Sequence, residues 1–148
     1  MNWKNSVRIF LTIVVFGAVS VSAVAGGERN VPSSIKGSVV INADDLVGLI
    51  EKRPEIVVVD SRLPTDRRIG FIEGSINVTD DDTNCDSLKS MAPRTEIPVV
   101  FYCNGERCPR SGHSVNTAVS CGYKNVYWFR GGMDEWKAKN YPYVKPQQ

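Results

Sequence analysis

The sequence predicts an α/β fold: a mainly parallel five-stranded sheet with helices on both faces. Three observations carry this. Strand-like and helix-like segments alternate along the chain, the order expected of parallel strands joined by crossover helices. Residues 56–59 and 99–102 are continuous apolar runs, as in strands buried on both faces. Asp60 and Cys103 follow those two runs directly. Both are therefore expected at the carboxyl edge of the sheet, where the sites of open α/β folds gather.

The elements follow in order. Residues 39–41 are a short β-branched strand. Asn42 then reads as a helix N-cap, with Asp44 and Asp45 in the first turn, where they favour the helix dipole. Leu46, Leu49 and Ile50 recur at helical spacing, and Pro54 ends the segment. The strand at 56–59 is closed by Asp60. A weaker strand at 76–78 follows Gly74. The three aspartates at 80–82 open a polar stretch that reads as a turn, because they lack the spacing of a calcium loop. Leu88 and Met91 mark a short helix before Pro93. After the strand at 99–102, residues 111–121 read as a helix with Ser111 as N-cap and Gly122 as its stop. Residues 126–129 form the last strand. Gly131 and Gly132 turn the chain, and 133–139 is a short helix with Trp136 facing inward. Trp128 reads as packing, and Tyr102 as a flank of the site. Arg67 and Arg68 read as solvated surface.

At 148 residues, 42% apolar and 23% charged, the chain fits one domain. Residues 1–25 carry Lys4 and Arg8, an apolar run over 9–24 and a closing Ala-Val-Ala. This is the pattern of a secretory signal peptide cleaved after Ala25, and it implies export to the bacterial periplasm. The run is shorter than the roughly 20 residues a spanning helix needs, so membrane contact is expected only through this segment if it is left uncleaved. Residues 26–37 read as an N-terminal tail, and 38–145 as the domain. The formal charge of +2 belongs to the leader. Residues 26–148 hold 16 basic and 16 acidic groups, which argues against a nucleic-acid binder and leaves any attraction for anions local.

The loop Cys103-Asn104-Gly105-Glu106-Arg107-Cys108-Pro109-Arg110-Ser111 joins a buried strand to a helix start. Loop N–H groups and the helix dipole favour an anion there. A thiol at that junction is stabilised as thiolate, the nucleophilic form. Arg107 and Arg110 add positive charge, and Glu106 is expected to point outward. Cys103 is thus the candidate nucleophile. His113, the only histidine, reads as a surface residue, since a cradled thiolate needs no base. Asp60 and Arg62 read as supports that fix loops at the cleft edge. Cys108 is open to three roles: resolving a persulfide, bridging to Cys103, or lining the loop. Four cysteines allow three pairings and the sequence does not choose; a Cys85–Cys121 bridge is one candidate. No clustered zinc ligands occur.

Four segments in order resemble the single-domain rhodaneses, which are sulfurtransferases. Val57-Val58-Val59-Asp60-Ser61-Arg62 resembles their strand followed by Asp-x-Arg. Gly70-Phe71-Ile72-Glu73-Gly74-Ser75-Ile76-Asn77-Val78 resembles their Gly-His-Ile-x-Gly-Ala-x-Asn, with the His absent. Tyr102-Cys103 with Arg110-Ser111 resembles the active-site loop and its helix. Gly122, Val126, Gly131-Gly132 and Trp136 resemble the closing pattern. One departure is plain: the Arg-Ser pair lies seven residues after Cys103, while Arg107 holds the usual offset of four, so the loop is longer. The resemblance spans residues 39–143. It implies that Cys103 takes sulfur from thiosulfate or a polysulfide-type anion as a persulfide and passes it to a thiol acceptor, small or protein. Asn104, Gly105, Glu106, Arg107, Cys108 and Arg110 would form the substrate loop, with Gly105 taking a backbone angle closed to larger residues and with no metal or organic cofactor. Two other readings compete. One is a redox-sensing or partner-binding module with Cys103 and Cys108 bridged. The other is a Cys-based phosphatase or arsenate reductase, against which stands Pro109 where Cys-x5-Arg requires Arg.

Overall fold

A computed structural model describes residues 30–146; the leader at 1–25 lies outside the described residues, as does the start of the tail. The strands are β1 (Ser38–Ile41), β2 (Val57–Asp60), β3 (Ile76–Asn77), β4 (Val99–Tyr102) and β5 (Val126–Phe129). They form one sheet in the order β1-β5-β4-β2-β3, every pairing parallel. The helices are α1 (Ala43–Lys52), α2 (Pro64–Arg67), α3 (Cys85–Met91), α4 (Arg110–Ser120) and α5 (Gly132–Ala138).

The period of two along β4 divides the core. Val99 and Phe101 join Val126 and Trp128 against Leu88 of α3 and Val115 and Ala118 of α4. Val100 and Tyr102 face the other way, with Phe129, onto Leu46 of α1 and Met133 and Trp136 of α5. All four residues of β4 are buried, which explains its unbroken apolar composition. Asn42 caps α1 as expected, accepting from Asp45 N while Asp45 returns a bond to the Asn42 N–H.

Three local expectations are corrected. The four-residue α2 was not anticipated; it starts on Pro64 without a side-chain cap. Helix α4 begins at Arg110 with Pro109 in the cap position, so Ser111 is not its N-cap. Ser111 is buried instead and accepts the indole N–H of Trp128 at 2.9 Å, because a buried indole needs an acceptor. Within the expected tail, Ile35 is buried in the core beside Trp128, and the Pro32 carbonyl accepts from Arg130.

Tyr102 ends β4 fully buried. Its hydroxyl accepts from the Ile72 N–H at 3.3 Å and pairs with Ser75 Oγ at 3.1 Å. It thus belongs to the core rather than to the rim of the site. Burial, reinforced by the nearby Asp60 carboxylate, pushes its phenol up to about 12 from 10.0. The neutral phenol is the form the fold favours, so its contribution is complete below pH 10 and is lost as pH rises toward about 12. The thermal midpoint is expected to fall over that window, and Tyr102→Phe to flatten the fall. An equally steep fall in the variant would contradict the assignment.

Candidate functional site

The carboxyl edge of the sheet brings together the ends of β2 and β4. Cys103 follows β4 and is 1% exposed. Its carbonyl accepts the Met133 N–H at 3.0 Å, and the Asn104 carbonyl accepts the Asp134 N–H at 2.8 Å, so the first turn of α5 anchors the loop from below. Gly132 makes this approach feasible: its φ is +55°, and a Cβ there would overlap the Cys103 carbonyl. Gly105 acts differently from expectation. It does not take a positive φ; a Cβ on it would instead run into the Asp134 carboxylate.

The loop curls back on itself. The Cys108 N–H donates to the Gly105 carbonyl at 2.9 Å, and Cys103 and Cys108 are joined as a disulfide with Cα atoms 6.1 Å apart. Cys108 is half-buried and lines an open cleft of about 1070 Å³. The cleft is bounded also by Asn104, Arg107, Arg110, Asp134 and Glu135. The loop then enters α4, whose cap supplies no side-chain bond, leaving first-turn N–H groups open to an anion.

Charge around the cleft is mixed. Arg107 is exposed. Arg110 leans toward Asp80 at 3.8 Å, and Asp80 also receives His113 at 2.9 Å. His113 is therefore occupied away from Cys103. Glu106 is exposed, lines the cleft as well, and pairs with Arg130 at 3.1 Å.

Asp60 and Arg62 form a buried ion pair at this edge. Asp60 is fully buried and accepts from Arg62 through N (3.1 Å), Nε (2.8 Å) and Nη2 (2.7 Å). Burial opposes the Arg62 charge, but the hydrogen bonds and charge of Asp60 outweigh it and hold the guanidinium above its ordinary value. Arg62 then ties three loops together: it donates to the Gly70 carbonyl at 2.8 Å and to Asn104 Oδ1 at 3.5 Å, while Asn77 Nδ2 donates to the Arg62 carbonyl at 2.9 Å.

Arg67 was misjudged as solvated surface. It reaches Asp60 at 3.2 Å, Ser75 Oγ at 2.9 Å and the Ser75 carbonyl at 2.7 Å, and stacks over Phe71. Nothing in local composition distinguishes it from Arg68; the contact depends on the unforeseen α2.

These features define a parallel α/β domain with a cysteine loop at the carboxyl edge of its sheet. A family model described as Rhodanese-like domain matches residues 42–139, and the chain belongs to that family. The uncharacterised protein YibN of Escherichia coli strain K12 is 27% identical over 118 residues, covering 79% of this chain and 78% of YibN. Among solved structures, the BH2092 protein of Bacillus halodurans matches with a TM-score of 0.65 at 23% identity, over 74% of this chain and 82% of that one. A thiosulfate sulfurtransferase of Pseudomonas aeruginosa gives 0.62 at 22% identity, over 75% of this chain and 21% of that one. The polysulfide-sulfur transferase homodimer of Wolinella succinogenes gives 0.60 at 23% identity, over 73% and 79%. At these identities the structural matches speak for the fold.

Proposed function

We propose that the protein is a rhodanese-type sulfurtransferase that moves sulfane sulfur from thiosulfate or a polysulfide-type donor to a thiophilic acceptor through a persulfide on Cys103. The observation that carries this is the position of Cys103: buried at the end of the central strand β4, at the head of a loop that runs into the start of α4. The cycle begins once a dithiol has opened the Cys103–Cys108 bridge. The Cys103 thiolate attacks the outer sulfur of thiosulfate, the donor S–S bond breaks, and sulfite leaves with the bonding pair. The loop and first-turn N–H groups hold the persulfide anion, and Arg107 or Arg110, which both line the cleft, holds departing sulfite; Arg110 Nη1 lies 4.0 Å from Cys108 Sγ. An acceptor thiolate then takes the outer sulfur and Cys103 leaves as thiolate. That the family includes thiosulfate and polysulfide sulfurtransferases among its structural neighbours supports the reading.

Export to the bacterial periplasm accompanies the proposal. It rests on the leader pattern at residues 1–25, and two disulfides suit an oxidising compartment.

The reduced protein should form thiocyanate from thiosulfate and cyanide, and Cys103→Ser should bring this to background. Undiminished turnover in that variant would refute the proposal. The bridge itself favours a second reading, a redox-sensing module without catalysis. A bridge that reductant opens while no thiocyanate forms would support that instead.

A further inference from the structure

We propose that Cys108 is a resolving thiol: when no acceptor takes the sulfur, it attacks the Cys103 persulfide and expels hydrosulfide, so that the turnover ends in the bridged form. The protein would then reduce sulfane sulfur to sulfide and be reopened by a dithiol–disulfide oxidoreductase. This rests on the sulfurtransferase reading of Cys103.

Geometry carries the argument. The loop is already folded so that the two cysteines meet: the Gly105 carbonyl holds the Cys108 N–H, and the Cα atoms stand 6.1 Å apart. With the bridge open and a sulfur added to Cys103, the Cys108 thiol remains the neighbour of the inner sulfur to which it had been bonded. Attack there releases the outer sulfur as the leaving group. In the step, the S–S bond of the persulfide breaks and the Cys103–Cys108 S–S bond forms. The sulfane sulfur is reduced to sulfide, the two cysteine sulfurs are oxidised to disulfide, and the Cys108 proton leaves with hydrosulfide. Reopening takes two electrons and two protons from the partner's dithiol.

The two sulfurs are also unequal in the way reopening requires. Cys103 is 1% exposed, backed by β4 and by the first turn of α5. Cys108 is half-buried and lines the open cleft. An incoming thiolate therefore reaches Cys108, and the sulfur that departs is Cys103, at the end of β4. A purely structural role fits poorly. This bridge spans a separation of only five residues, within a turn that already has its own hydrogen bond, so closing it constrains the unfolded chain about half as much as the Cys85–Cys121 bridge, whose separation is 36.

The test is a single turnover without acceptor. The full chain is reduced, freed of reductant without air and given one equivalent of thiosulfate; sulfite, sulfide and the mass of the 103–108 peptide are then followed. The wild type is expected to release sulfide in step with sulfite and to finish bridged, with no added sulfur. In Cys108→Ser, whatever sulfite appears should be matched by sulfur retained on Cys103, with the sulfide-to-sulfite ratio lowered at least roughly 100-fold by loss of the intramolecular thiol. A wild type that stays persulfidated would overturn the proposal while leaving the sulfurtransferase reading intact. So would sulfur found on Cys108 without sulfide release, or sulfide release unchanged in the variant. Absence of sulfite from the wild type would overturn the sulfurtransferase reading itself, and this proposal with it.

Discussion

Replacing Asp60 with Ala is expected to destabilise the protein by about 3–5 kcal/mol, the range for removing one partner of a buried ion pair. Asp60 is fully buried and Arg62 is 2% exposed. The carboxylate receives three bonds from Arg62 and one from Arg67. Without it, two guanidiniums face one another with no carboxylate between them, and only the Gly70 and Asn104 acceptors still serve Arg62. The burial that Asp60 now outweighs would act on Arg62 with its main counterweight gone. Against a total stability of about 5–15 kcal/mol for a domain, such a loss is large, and urea unfolding would register it as a lowered midpoint. Adding Arg62→Met to Asp60→Ala should recover part of it, because an apolar replacement of the whole pair removes the stranded charge. Arg62→Lys should fail to substitute, since an ammonium cannot span two carboxylate oxygens, a carbonyl and Asn104 as the guanidinium fork does. A cost below about 1 kcal/mol for Asp60→Ala would show that the cluster is effectively solvated.

The same cluster shows what local pattern can and cannot reveal. The apolar runs at 56–59 and 99–102 place Asp60 and Cys103 at one sheet edge, because a buried strand admits a polar residue only where it ends. The fold, and the meeting of Asp60 and Cys103 at one edge, follow from that placement. Arg67 does not. Its partner lies seven residues back, and the turn that carries it there is a single helical turn whose formation depends on Pro64 and on packing. Ser111 was misread for a related reason: serine before a helical run is a good cap by local chemistry, but a distant indole N–H across the core had the stronger claim. Gly105 is needed for close approach and not for its backbone angle, because the decisive contact, α5 rising against the Cys103 loop, joins segments far apart in sequence. Cysteine pairing was open on sequence and is decided by topology, since α3 and α4 lie on the same face of the sheet.

That topology sets the second large effect. Cys85 opens α3 and Cys121 caps α4, with Cα atoms 5.5 Å apart and a separation of 36 residues. Closing a loop of that length removes unfolded-chain entropy worth about 3–4 kcal/mol. The Cys85→Ala/Cys121→Ala protein should therefore melt roughly 10–15 °C below wild type, given the entropy of unfolding of a domain this size. A drop of less than about 2 °C would mean that packing of α3 on α4 around Leu88 already restricts the chain, and that the bridge adds little. The variant has a further use. Opening the Cys103–Cys108 bridge is required for any chemistry at Cys103, yet the same reductant also opens Cys85–Cys121. Loss of activity under strong reduction would then mix chemistry with unfolding. In the double-alanine protein only one bridge remains, so at a temperature well below its midpoint the dependence of thiocyanate formation on reductant reports the Cys103–Cys108 pair alone. If activity there rises with reductant to a plateau, the bridge is the gate. If it does not respond to reductant, the redox state of this pair has no bearing on catalysis.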